Sequence, residues 1–133
     1  MSLTKTILTS FLTHLQNRDL VNLVNLFADN VKWTIPGNEK EIKWLGSRTM
    51  KIEIEDFFKM LWKETEPISA EIHKVLFDND DVIIKGSFTT KMLATEKKVT
   101  SIFFIHFMIN DGKITEYTLL EDSYAVSQSL IND

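Results

Sequence analysis

The sequence predicts an α+β domain whose helices pack on one side of a strongly curved sheet and close it over a single apolar pocket. Two observations carry this. Apolar residues recur at helical spacing in three segments before Pro67, whereas the chain from Ile68 onward reads as a run of strands. One of those strands, residues 99–109, is apolar in both of its side-chain sets, so the sheet has no simple wet face.

Each element follows from local chemistry. Leu3, Ile7, Leu8, Phe11, Leu12 and Leu15 form one stripe of a first helix. Asn17-Arg18-Asp19 breaks it, and Asp19 is a good N-cap for a shorter helix that buries Leu20, Leu23, Val24 and Phe27. Ala28-Asp29-Asn30 reads as a turn. Residues 31–35 alternate as a half-buried strand, stopped by Pro36-Gly37. Residues 38–47 read as an irregular polar loop carrying Ile42, Trp44 and Leu45. A third helix, capped by Ser47 or Thr49, has Glu53, Glu55 and Asp56 in its early turns, where the helix dipole favours negative charge. Its apolar side is Ile54, Phe57, Phe58, Leu61 and Trp62.

Four antiparallel strands follow, at 68–77, 82–93, 99–109 and 114–121. Asp78-Asn79-Asp80-Asp81, residues 94–98 and Asn110-Asp111-Gly112 are the turns between them. Asp122 then precedes a short helix with Ala125, Val126 and Leu130. No repeat, linker or low-complexity stretch divides the chain, which reads as one domain over 1–133.

In residues 99–109, Phe103, Ile105, Phe107 and Ile109 point one way and Ile102, Phe104, His106 and Met108 the other. One set covers the helices and pocket. The other needs a second cover, since an exposed patch of that size is unusual for a monomer. A second copy of the chain is the simplest supply, which predicts a homodimer through the outer sheet face. The alternative is that the C-terminal helix or a loop lies over it.

Composition excludes several classes. Apolar residues make up 44% and charged residues 26% of the chain, too apolar for a disordered one. The absence of cysteine removes disulfides, thiolate metal sites and thiol nucleophiles, and is compatible with a cytoplasmic protein. The net charge is −4 and the lysines are scattered, so no basic patch for nucleic acid is expected. Residues 1–12 mix threonines and a lysine among their apolar residues, unlike a signal peptide. The longest apolar run, 102–109, is interrupted by His106 and too short to span a bilayer. The three histidines are far apart with no paired-ligand spacing, and no dinucleotide or phosphate-binding glycine loop is present, so neither metal nor cofactor is expected.

Several loose motifs in order resemble the nuclear transport factor 2-like superfamily and, within it, the SnoaL-like proteins. They are Asp29-Asn30-Val31-Lys32-Trp33 with Ile35-Pro36-Gly37, Trp44-Leu45-Gly46-Ser47-Arg48 before Phe57-Phe58, Asn110-Asp111-Gly112-Lys113-Ile114, and Tyr117 to Asp122. The resemblance implies a cystatin-like, cone-shaped sheet with a pocket at its open end, and usually dimers. It implies no single activity, because the superfamily holds ketosteroid isomerases, limonene-epoxide hydrolases, polyketide cyclases, dehydratases and non-catalytic members.

Carried over by position, the isomerase tyrosine falls at about Phe11, its base at about Trp33 or Thr34 and its acid at about Ile105, none of which can serve. The hydrolase carboxylate falls near Leu119. The acidic residue of the cyclases, near the end of the last strand, matches Asp122, which also looks like a helix N-cap. Glu121 points to the opposite face and is the second carboxylate candidate. His73 and His106 are candidate proton carriers because their ordinary pKa lies near neutrality. His106 shares the outer face with Phe104 and Met108 and reads equally as an interface residue. The expected pocket lining is Trp33, Ile35, Trp44, Phe57, Leu61, Ile105, Tyr117 and Leu119, holding a small apolar or aromatic molecule. Trp44 is a candidate lid residue, and Arg48 either a loop anchor or a contact for an anionic group. The two functional readings are acid/base chemistry of cyclase, isomerase or dehydratase type, and a non-catalytic binding or dimerisation module.

Overall fold

The computed structural model describes residues 3–132. Met1 and Ser2, which open the segment compared with a signal peptide, lie outside the described residues. The element order is α1 (Leu3–Gln16), α2 (Leu20–Val24), β1 (Phe27–Ile35), β2 (Gly46–Met50), α3 (Lys51–Glu64), β3 (Thr65–Asp78), β4 (Asp81–Met92), β5 (Lys98–Asn110), β6 (Lys113–Glu121) and α4 (Ser123–Ser129). The strands form one six-stranded sheet in the order β2-β1-β6-β5-β4-β3. This is the α+β architecture expected, with the antiparallel meander β3-β4-β5-β6 at its centre and one far edge.

The helix starts show why these residues fold as they do. Asp19 caps α2, its carboxylate accepting from the Asn22 backbone N–H at 3.4 Å and from the Asn22 side chain at 2.7 Å. Glu53 closes the start of α3 by accepting from the Thr49 and Met50 backbone N–H groups, both at 3.0 Å. That places the α3 cap at Met50, later than Ser47 or Thr49. Residues 46–50 are instead strand β2, paired antiparallel with β1. Its Gly-Ser-Arg-Thr-Met sequence carries no alternating apolar signal because an edge strand is held here by its ladder to β1.

Ala28-Asp29-Asn30 is not a turn but part of β1. The pairing shifts register between Asn30 and Trp33, so turn-forming residues sit at an irregularity inside a strand. β1 then runs parallel to β6, with Trp33 opposite Tyr117. At the β5–β6 hairpin, Asp111 and Gly112 both have positive φ, +51° and +75°, which is the type I′ geometry that fits twisted strands.

The core lies between the concave face and the helices. Phe11, Leu23, Phe27, Ile54, Phe58, Val82, Phe107 and Ile114 are fully buried in it. Gly86 of β4 stands opposite Ile72, where the pairing of β3 shifts register. A Cβ there would come within 2.3 Å of the Glu71 carbonyl oxygen and 2.6 Å of the Phe103 ring, so only glycine lets β3 and that ring approach so closely.

Candidate functional site

Alternation along β5 and β6 decides what faces the concavity. Phe103 pairs with Glu121, Ile105 with Leu119 and Phe107 with Tyr117, and all point inward. α1 and α3 roof this surface, and the inner side chains of β3 and β4 complete the wall. The cavity, open on one side, has a volume of about 650 Å³. Its deep surface is Phe11, Trp44, Phe57, Ile84, Ile105 and Tyr117, all buried. Exposed Gln16, Arg18, Pro67, Ile68 and Ile72 also border it and form its mouth, since β3 is an edge strand with little over its inner side.

Six of the eight expected lining residues border the cavity: Trp44, Phe57, Leu61, Ile105, Tyr117 and Leu119. Trp33 and Ile35 do not. Each is only 1% exposed and belongs to the packed core behind the wall. Trp33 stacks flat on Tyr117, with ring centres 4.0 Å apart and planes at 14°, so it supports a lining residue without reaching the ligand space. Trp44 is buried in the wall rather than standing as an exposed flap, and its carbonyl accepts from Arg48 at 3.0 Å. Arg48 also reaches the Lys43 carbonyl at 3.3 Å and lies over the Phe57 ring, which makes it the anchor of the 38–47 loop.

The proton-transfer candidates separate cleanly. Asp122 is exposed, outside the cavity, and accepts from the Ala125 backbone N–H at 3.0 Å as the N-cap of α4. His73 is on exposed β3, against Glu71 at 3.3 Å and within 3.5 Å of the Ser87 hydroxyl. His106 is on the outer face, donating from Nε2 to the Asp81 carboxylate at 2.7 Å, with Glu116 3.9 Å from Nδ1. None of these three borders the cavity. Glu121 does, and it has no hydrogen-bond or ion-pair partner among the described residues. Burial disfavours its charged form and pushes its pKa up to about 7. Tyr117, deep in the same wall, has its phenol pKa raised by burial and, less, by the Glu121 charge. It therefore stays protonated and offers an O–H.

Arg18 completes the ionisable groups of the lining. Sequence reasoning passed over it as part of a helix break, and nothing in the Asn-Arg-Asp tripeptide signals that the turn between α1 and α2 folds back to the mouth. The inner side of β3 was also missed as lining, because Ile68 and Ala70 carry no chemistry that marks them. Of the positions carried over for isomerase and hydrolase chemistry, Phe11, Ile105 and Leu119 border the cavity with only apolar groups, and Trp33 and Thr34 do not border it. Among the described residues no three His, Asp or Glu side chains converge as a metal site requires. No described helix is long and apolar enough to cross a membrane.

No curated protein matches the chain. Solved structures share its fold at low identity. A nuclear transport factor 2-like protein from Burkholderia xenovorans LB400 superposes with a TM-score of 0.87 at 16% identity, covering 97% of this chain and 96% of the other. TerC, co-crystallised with polyporic acid, gives 0.79 at 15% identity over 97% and 98%. An epoxide hydrolase of limonene-epoxide-hydrolase-like type from M. tuberculosis gives 0.74 at 16% identity over 96% and 89%. The SnoaL-like domain model matches residues 8–117. That span runs from the first buried leucine of α1 to the tyrosine at the cavity floor, and it makes this chain a member of the SnoaL-like domain family.

Proposed function

We propose that this protein binds a multi-ring apolar molecule with oxygen substituents in the cavity, and that Glu121 exchanges protons with it in cofactor-independent chemistry of cyclase, isomerase or dehydratase type. The observation that carries this reading is a partnerless carboxyl in a mostly apolar wall. A group with a pKa of about 7 is present in both forms at neutral pH, so it can take a proton and return it within one cycle. Tyr117 supplies the complementary donor, an O–H that would stabilise charge developing on a ligand oxygen. The two are four residues apart on one strand face, so their backbones stand about 13 Å from each other at ~3.3 Å per residue. A ligand that meets both side chains lies along the strand face they share. The cavity volume of about 650 Å³ suits such a molecule. Structural neighbours that include an epoxide hydrolase and a protein crystallised with polyporic acid support a small organic ligand in this place.

The test uses 2-tetralone, a bicyclic ketone whose α-protons exchange with solvent. Deuterium incorporation is expected to be faster with the wild-type protein than in buffer, and ~100-fold slower with Glu121→Gln. Ala70→Phe, which adds a ring to the cavity wall, should abolish both binding and exchange. Equal exchange with wild type and Glu121→Gln at saturating ketone would refute the acid/base role. Binding unaffected by Ala70→Phe would refute the cavity as its place.

A second copy of the chain is the proposed cover of the outer sheet face. Ile102, Phe104 and Leu120 remain 58%, 41% and 50% exposed, and the register puts Phe104 directly beside Leu120. α4 does not cover them, because its buried Val126 borders the cavity. A face-to-face pair of identical sheets buries the same apolar residues on both partners at once.

A further inference from the structure

We propose that the molecule entering this cavity is an anionic amphiphile, with its apolar body inside and a carboxylate, or a like oxyanion, on Arg18 at the mouth. The inference rests on the cavity being the ligand site and adds the charge and orientation of the ligand.

Three observations support it. Arg18 is the one lysine or arginine among the described lining residues. Its guanidinium is held rather than free to swing: it lies 5.5 Å over the Trp62 ring and donates from one nitrogen to the Trp62 carbonyl at 3.4 Å. Trp62 itself borders the cavity, so the stack fixes the cation at the entrance and leaves its other N–H donors available. No carboxylate among the described residues pairs with Arg18. The neighbouring Asp19 is engaged by Asn22 and lies 3.8 Å from His14.

The other charged group of the lining favours the same orientation. Glu121, once ionised, repels an anion from the interior, and apart from the Tyr117 hydroxyl the deep lining is apolar. An anionic head group therefore has one favourable place, at Arg18, where water still solvates part of it.

The experiment compares 1-naphthaleneacetate with 1-naphthaleneacetamide, the same ring system with and without the charge, by calorimetric titration at pH 7.5. Wild type, Arg18→Gln, Arg18→Lys and Ala70→Phe are measured at low and high salt. The wild type is expected to bind the carboxylate about tenfold more tightly than the amide, with the preference shrinking as salt rises. Arg18→Gln should erase the preference, and Arg18→Lys should keep only part of it, since lysine restores the charge without the planar stack. If the amide binds and is blocked by Ala70→Phe, but the carboxylate is not preferred or the preference survives Arg18→Gln, this inference is overturned and the cavity reading stands. If neither probe binds, or Ala70→Phe leaves binding unchanged, the cavity reading fails and this inference fails with it.

Discussion

Replacing Glu121 by glutamine should stabilise the protein at alkaline pH and not at acid pH. The carboxyl has an ordinary pKa of 4.5 and a folded value of about 7, raised by burial. Between these values the unfolded chain has lost the proton and the folded chain keeps it. Folding stability therefore falls as pH rises through this window. Below 4.5 both states are protonated and the penalty is absent; above about 7 it is complete. At ~1.4 kcal/mol for each tenfold difference in proton affinity, the full penalty is about 3 kcal/mol. Glutamine keeps the shape and carries no charge, so the penalty vanishes, less a smaller cost for its own buried amide. The assay is urea unfolding of both proteins at several pH values from 4 to 8.5. Taking the difference between them cancels every other titrating group. The variant should gain about 3 kcal/mol relative to wild type across the range, with the midpoint of the gain between pH 5 and 7. Curves that stay parallel would mean that Glu121 is solvated in both states, and the argument for its proton-transfer role would fall with them.

Three further outcomes follow from named contacts. Asp122→Ala should cost about 1 kcal/mol by removing the cap on α4, measured by denaturation, while 2-tetralone affinity is unchanged; a loss of binding with intact stability would return Asp122 to the site. Gly86→Ala should destabilise by about 1–3 kcal/mol, because the new methyl meets backbone and the Phe103 ring, and a neutral variant would show that β3 can retreat freely. Phe104→Glu should convert a dimeric mass by light scattering to a monomeric one with the fold kept by circular dichroism, and a wild type already monomeric at micromolar concentration would remove the proposed pairing.

Much of the architecture was legible because it rests on local chemistry. The stripe from Leu3 to Leu15 is the α1 face, the Asn-Asp-Gly hairpin has the left-handed pair it demands, and Asp19 and Asp122 sit before helices whose N–H groups they accept. β2 was not legible, since residues 46–50 form a strand through pairing with β1 rather than through any apolar alternation. The same is true of Asp29 and Asn30, whose turn chemistry is absorbed by a register shift in β1.

The site divides along the same line. By itself the sequence determined that adjacent carboxylates Glu121 and Asp122 face opposite ways, that Tyr117, Leu119 and Glu121 share a side, and that the isomerase and hydrolase positions hold no usable acid. Only the tertiary structure decided which side is inside. The pairing of Phe103 with Glu121 fixes that parity, and a shift of one residue would have exchanged every wall residue for an outer one. It alone separated Trp33, packed behind Tyr117, from the aromatics that border the cavity, and it alone brought Arg18 from a helix break to the mouth. The physical reason is that periodicity is a property of one strand or helix, whereas a wall, a mouth and a buried charge are made by segments distant in the chain meeting at a particular register.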